Sequence, residues 1–302
     1  MSARATRLEA ALGLALSVSA ASAGAQQPMF STRIEAIRVD VLVTDRENGP
    51  ALLGLGPADF EVLDNGVLQQ VELVSFEEIP LNVIFALDLS ESVEGERLEH
   101  LQRAGSALLA ALQKDDQAAL VAFSHVVNLG SGLTNDHAKV RRALFDTFPT
   151  GDTGLIDATF AGMMIGESDV GRGLLIVFSD GLDTASWLTA DQVLDAARRS
   201  DIVVYGVAVQ SRVKPEFFRE LTSATGGRFY EIEKTSDLDK TFLEVLEEFR
   251  HRYLVSYTPR GVEPTGWHRL TVGVKGRRAT VRARPGYLAG SVPAPQDPAL
   301  RE

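Results

Sequence analysis

The sequence predicts an α/β protein: a doubly wound, mostly parallel six-stranded sheet, inserted into a β-sandwich-like domain built from the amino- and carboxy-terminal strands. Three observations carry this. Between residues 80 and 250, short apolar runs alternate with segments of helical period, the βα alternation that yields a parallel sheet covered on both faces. Two of the runs, Val83-Ile84-Phe85-Ala86-Leu87 and Leu174-Leu175-Ile176-Val177-Phe178, are bounded by polar residues and lead into Asp88 and Asp180. On either side of this region the period changes to two, in stretches too small to bury a core alone, so the flanks are expected to meet.

Residues 1–25 read as a secretory signal. Arg4 and Arg7 precede an apolar core from Ala10 to Ala21, and Ala23-Gly24-Ala25 offers a small-residue cleavage site. The core is too short to span a bilayer and Glu9 adjoins it, so export to the periplasm or the exterior is expected rather than anchoring. No later stretch is long and apolar enough to span. The chain has no cysteine, which excludes disulfides and a lipidated cysteine.

Residues 26–79 form the first part of the β domain. Val39, Val41 and Val43 alternate with largely polar partners, and Phe60 to Leu63 and Val67 to Phe76 are two β segments joined by Asp64-Asn65-Gly66, whose Asn-Gly pair favours a tight hairpin. The α/β region spans 80–250. Helix Glu96 to Lys114 puts Leu98, Leu101, Leu108, Leu109 and Leu112 on one stripe, with Gly105 allowing close approach to the sheet. Val126 to Leu129 follows the strand Ala118 to Phe123 too soon for a crossover helix, so it is expected as an antiparallel edge strand. Helix Asp136 to Phe148 should turn Val140, Leu144 and Phe145 inward, and another runs from Thr153 to about Met164. After the strand ending at Asp180 come helix Ala190 to Arg199, strand Ile202 to Val209, a helix begun by Pro215, strand Phe229 to Ile232 and helix Ser236 to Arg250. Residues 251–290 return to β structure. Leu270, Val272 and Val274 are expected to pair across Lys275-Gly276 with Ala279, Val281 and Ala283, and Trp267 to join the core. Residues 291–302 are a Pro-containing tail expected to be disordered.

The formal charge is −11, and loss of residues 1–25 turns 30 basic and 41 acidic residues into 28 and 40, about −12. No basic cluster offsets this, which disfavours binding to nucleic acid or anionic membranes.

The chemistry concentrates at strand ends. Asp88-Leu89-Ser90-Glu91-Ser92 places one carboxylate and two hydroxyls in a single turn, the oxygen donors that a hard divalent cation prefers. Such a turn also suits capping, and Ser92 is a candidate N-cap for the helix near Glu96. Two further loops offer donors: Thr153 opens a helical segment after Gly151-Asp152, and Asp180 ends a buried strand. With these residues the chain resembles the von Willebrand factor A domain family, whose metal-ion-dependent adhesion site combines DxSxS, a Thr and an Asp. The resemblance implies a Rossmann-like fold and assigns Asp88, Ser90, Ser92, Thr153 and Asp180 to the metal, Mg²⁺ with Mn²⁺ or Ca²⁺ as alternatives. Three neutral oxygens and two aspartates would leave one octahedral position open for an Asp or Glu of a protein partner. Where the family commonly has Gly before the coordinating Thr, this chain has Asp152, an extra negative charge that favours Ca²⁺ or weakens the pull on an incoming carboxylate. The segments 38–45, 59–66 and 282–287 further resemble the flanks of an exported, acidobacterial type of this family.

The implied function is non-enzymatic: an exported module that captures a partner's carboxylate through a held cation. A metal-dependent hydrolase and an architectural envelope component are the alternatives. The chain lacks GxSxG, HExxH and Walker sequences. Ser124-His125 adjoin on a strand and point to opposite faces, and His100, His137, His251 and His268 are expected on surfaces. Asp183 suits a turn, Trp187 lies on the metal side as a partner contact or loop anchor, and Glu91, Glu94 and Glu96 form an acidic face.

Overall fold

The structure, a computed structural model, describes residues 36–76, 79–167, 171–179, 182–210 and 215–290. Expectations for the leader at 1–25, for the tail at 291–302 and for Asp180 fall outside the described residues. Strand β1 (Ile37–Thr44) buries Val39, Val41 and Val43, as its alternation requires. Strands β2 (Phe60–Asp64) and β3 (Val67–Gln69) form the expected hairpin, with Asn65 and Gly66 both at positive φ, 49° and 83°. The segment Val67 to Phe76 is not one strand. It breaks at Gln70, and β4 (Val71–Ser75) pairs in a different sheet. Buried Gln69 fixes the break, donating to the carbonyls of Val67 and Arg260 while its side-chain oxygen accepts from the Arg260 amide.

The next segment alternates as expected: β5 (Leu81–Asp88), α1 (Glu96–Ala111), β6 (Gln117–Phe123), β7 (Val127–Thr134), α2 (His137–Phe145), α3 (Leu155–Gly166), β8 (Arg172–Ser179), α4 (Ala190–Ala197), β9 (Val203–Val209), α5 (Glu216–Thr225), β10 (Phe229–Ile232) and α6 (Leu238–Arg250). The strands form one six-stranded sheet in the order β10-β9-β8-β5-β6-β7, parallel except for β7, which runs antiparallel along the edge. Every residue of β5 is buried because helices cover both faces. Leu81, Val83, Phe85 and Leu87 pack with α1, α2 and α6, while Ile84 and Ala86 pack with α3, α4 and α5. The helix after β5 therefore lies on one face and the helix after β8 on the other. The crevice between the carboxyl ends of β5 and β8 is the topological switch point, where open α/β sheets bind ligands.

Two details of this region differ from expectation. Gly105 admits α2 rather than the sheet: a Cβ there would lie 2.6 Å from Leu144 Cδ2. Phe145 is exposed, because α2 is short and Val140 and Leu144, four apart, already form its inner stripe.

Strands β11 (Tyr253–Tyr257), β12 (Gly266–Val274), β13 (Thr280–Arg282) and β14 (Gly286–Ala289) pair with the amino-terminal strands in two four-stranded sheets, β13-β1-β11-β4 and β14-β12-β2-β3. The expected hairpin across Lys275-Gly276 is not formed: β12 pairs β2 and β14, whereas β13 joins β1. Side chains from both sheets, among them Val41, Phe60, Val62, Val255 and Leu270, share one apolar cluster. Along β12, His268 and Leu270 point inward, which turns Trp267 outward and half exposes it. His268, expected on the surface, is buried: its Nδ1 lies 2.7 Å from Asp64 Oδ1, and the hydroxyls of Tyr257 and Tyr287 donate to Asp64 Oδ2.

Buried charge connects the flanking sheets to the α/β segment. Asp40 of β1 pairs with Arg172 at the start of β8, whose guanidinium lies over Phe249. Arg252, fully buried, donates to the Tyr205 hydroxyl and the Gly226 carbonyl. Arg284 donates to the carbonyls of Ser200 and Arg38. Asp116, itself buried, accepts from the Leu81 amide at the start of β5 and from Arg250 at the end of α6, at 2.9 and 2.6 Å. Among the described residues no helix is long and apolar enough to cross a membrane.

Candidate functional site

The apolar run of β5 ends by handing its chain to the crevice. Asp88 is buried, and its two oxygens are oriented separately: Oδ1 accepts from the Ser90 amide at 2.9 Å and Oδ2 from the Ser179 hydroxyl at 2.5 Å. The first bond bends the chain into a tight turn, so Ser90 is also buried while Ser92 reaches solvent. Their hydroxyl oxygens stand 3.0 Å apart. Ser92 does not cap α1; Gly95 holds the N-cap position, and Ser90 precedes a short 3-10 turn over Glu91–Val93.

Backbone bonds fix the second loop against the first. Thr150 N donates to Leu89 O, Glu91 N to Gly151 O, and Gly154 N to Ser124 O. Gly151 has φ 65°, and a Cβ there would meet the His125 ring at 2.2 Å, so the loop runs tight against the end of β6. Thr153 is buried between these contacts, while Asp152 faces solvent.

The third loop, following β8, is tied to the second. Thr153 O accepts from the amides of Thr184 and Ala185, and Thr153 N donates to the Thr184 hydroxyl at 3.1 Å. Helix α3 lacks a cap from its own N-cap residue, Gly154. Instead Asp183 accepts from the Ile156 amide and the Ser186 hydroxyl, and Ser186 accepts from the Asp157 amide. Asp157 answers by accepting from the amides of Trp187 and Leu188, both at 2.9 Å. Two orphan N–H groups of one loop's helix are thus satisfied by another loop, and a carboxylate stands at the positive end of the helix.

Of the five residues singled out from sequence, Asp88, Ser90, Ser92 and Thr153 come from loops bonded to one another at this crevice; Asp180 lies outside the described residues, next in the chain after Ser179, which holds Asp88. Sequence reasoning missed Ser179 and the bracing by Asp157, Thr184 and Ser186. A Ser or Asp that binds a distant backbone amide carries no periodic signal. Among the described residues no group of three or more His, Asp or Glu side chains gathers around a metal position. The donor set is instead rich in hydroxyls, chemistry that suits a hard cation and leaves it little neutralised.

Comparison with known proteins supports the same architecture. Inter-alpha-trypsin inhibitor heavy chain H2 of Mus musculus is 26% identical over 187 residues, covering 56% of this chain, and the Sus scrofa protein is 24% identical over the same length. This chain spans about a fifth of the length of those curated relatives. Among solved structures, a von Willebrand factor type A protein from Catenulispora acidiphila matches with a TM-score of 0.53 at 13% identity, covering 76% of this chain and 72% of that one. Proximal thread matrix protein 1 from the mussel byssus, with a zinc-occupied MIDAS motif, matches with a TM-score of 0.53 at 14% identity, covering 62% and 49%. Both structural likenesses are of fold. Residues 82–244 match the model of the von Willebrand factor type A domain, and the chain belongs to that family.

Proposed function

We propose that the crevice between β5 and β8 holds a divalent cation, Mg²⁺ in the first instance, through Asp88, Ser90, Ser92, Thr153 and Asp180, and uses it to capture an Asp or Glu carboxylate of a protein partner. The observation that carries this is the 3.0 Å spacing of the Ser90 and Ser92 hydroxyl oxygens beside a buried, oriented aspartate. The two hydroxyls are hydrogen-bonded to each other, and oxygens this close can serve as adjacent ligands of one octahedral ion, whose neighbouring donors stand about 3 Å apart. When bound, the cation supplies residual positive charge for an anionic ligand. The protein's own residues do the rest: Ser179 and the Ser90 amide hold the Asp88 carboxylate in place, and the interlocked second and third loops present Thr153.

The reading is of a binding module rather than an enzyme. Ser124 and His125, expected on opposite faces of a strand, instead follow β6 with the Ser124 hydroxyl 3.5 Å from His125 Nδ1, a long hydrogen bond; Ser124 is buried, which shields its hydroxyl from a substrate. Residues 1–25 fit an export signal, and the flanks at 38–45, 59–66 and 282–287 fit the exported, acidobacterial type of the family. The two four-stranded sheets, with their common core, support a β-sandwich-like domain formed by 26–79 and 251–290, into which 80–250 is inserted.

Isothermal titration calorimetry of the purified chain with Mg²⁺, Mn²⁺ and Ca²⁺ tests the site. Binding is expected with Mg²⁺ or Mn²⁺ tighter than Ca²⁺, and a loss of at least tenfold in Ser92→Ala and in Asp180→Ala. Equal heats in parent and variants would refute the ligand set.

A further inference from the structure

We infer that the rim around this crevice selects a particular kind of acidic segment: an Asp or Glu flanked on one side by a large apolar residue and on the other by Lys or Arg. The inference rests on the carboxylate-capture reading and adds to it the identity of the neighbours. Its first support is Trp187, 93% exposed on the third loop. An exposed tryptophan is costly to leave in water, and here it is not the product of a loose loop. The amides of Trp187 and Leu188 are both held by Asp157, and the loop's earlier residues are bonded to Thr153. Leu182, half exposed, stands on the same loop. A rigid, amphipathic ring beside a polar centre is the usual anchor of a protein interface.

The second support is charge. The first loop carries Glu91 and Glu94, both exposed, and the second carries exposed Asp152, on a chain of net charge −11. An incoming carboxylate is repelled by these groups unless its own neighbour is cationic, and a Lys or Arg there turns repulsion into complementarity. The second loop is bonded to the first through Thr150 and Gly151 and to the third through Thr153, and the base of the third meets the first directly where Ser179 donates to Asp88. The exposed acids stand on the first and second loops and Trp187 on the third, with the candidate donors Asp88, Ser90, Ser92 and Thr153 where the three are bonded together. A ligand with all three features meets each at its own loop.

The test uses the full chain carrying Trp267→Phe, so that Trp187 is the sole tryptophan and its emission reports binding. Short capped peptides centred on Lys-Glu-Phe, Phe-Glu-Lys, Gly-Glu-Gly and Lys-Gln-Phe are titrated with Mg²⁺ and with EDTA, and binding is also followed by peptide-label anisotropy. One of the first two is expected to bind at least tenfold more tightly than Gly-Glu-Gly, about 1.4 kcal/mol, and only with Mg²⁺. Trp187→Ala, read by anisotropy, should abolish the advantage given by Phe, and Glu91→Gln with Glu94→Gln the advantage given by Lys. Gly-Glu-Gly binding as tightly as the flanked peptides, or an unchanged preference in Trp187→Ala, overturns the inference and leaves carboxylate capture standing. Tight Mg²⁺ binding with no acidic peptide bound, or Lys-Gln-Phe bound as well as Lys-Glu-Phe, overturns both.

Discussion

Replacing Asp183 by Ala tests whether the second and third loops act as one body. The carboxylate accepts from the Ile156 amide at 3.1 Å and from the Ser186 hydroxyl, and it stands at the amino end of the twelve-residue helix α3. Losing a side-chain cap costs about 0.5–2 kcal/mol. Losing the negative charge at the helix end costs about 0.3–1 kcal/mol more. Because Ser186 in turn caps the Asp157 amide, part of a second cap is lost with it. The expected total is about 1–3 kcal/mol, with a fall in melting temperature of about 2–4 °C per kcal/mol for a domain of this size. Asp183→Asn keeps an acceptor and should recover about half. Urea unfolding with and without Mg²⁺ supplies the second readout. If the loops move together, Asp183→Ala also weakens Mg²⁺ binding, so added Mg²⁺ stabilises the variant less than the parent. A stability change within about 0.5 kcal/mol, the range of an ordinary surface substitution, together with undiminished Mg²⁺ stabilisation, would refute the reasoning.

Two further outcomes are expected. Asp40→Ala leaves the Arg172 guanidinium buried without its carboxylate and should cost about 3–5 kcal/mol in chemical denaturation, whereas Arg38→Ala, on the exposed pair with Asp201, should cost under about 1 kcal/mol. Alkaline pH should unfold the chain. Burial raises the hydroxyls of Tyr205, Tyr257 and Tyr287 above their ordinary range, and in Tyr287 the hydrogen bond to Asp64 adds to the effect. With folded values above the unfolded value of about 10, the stabilisation is complete below pH 10 and lost as pH climbs beyond it, by up to about 1.4 kcal/mol per pH unit for each tyrosine. Denaturation midpoints from pH 9 to 11.5 check this, and a flat profile above pH 10 would contradict it.

What the sequence made legible follows burial. β5 and β8 were readable because both faces are covered, which forces an unbroken apolar run, and β7 because too few residues separate it from β6 for a crossover. Pairing across long separations was not readable. Lys275-Gly276 has the chemistry of a hairpin turn, yet Val281 finds Val43, some 240 positions away, because β1 offers an open edge that local sequence does not reveal. Trp267 is a different kind of miss. Placing Leu270, Val272 and Val274 inward fixes the parity of β12, and the same parity puts His268 in the core and Trp267 outside. At the site, residue types with strong motif spacing were found, and those whose work is to hold another loop's backbone were not.

The double grip of Asp116 has a mechanical meaning. One carboxylate clasps the first residue of β5 and the last of α6, so the two ends of the segment that runs from β5 to α6 are fastened side by side. Tension drawn through the outer strands crosses this clasp instead of running the length of the sheet. The rim of loops stands about 23 Å away at the far end of β5 by the rise of a strand, so a pull between the rim and the flanking strands would run along β5, which is buried throughout and paired on both edges.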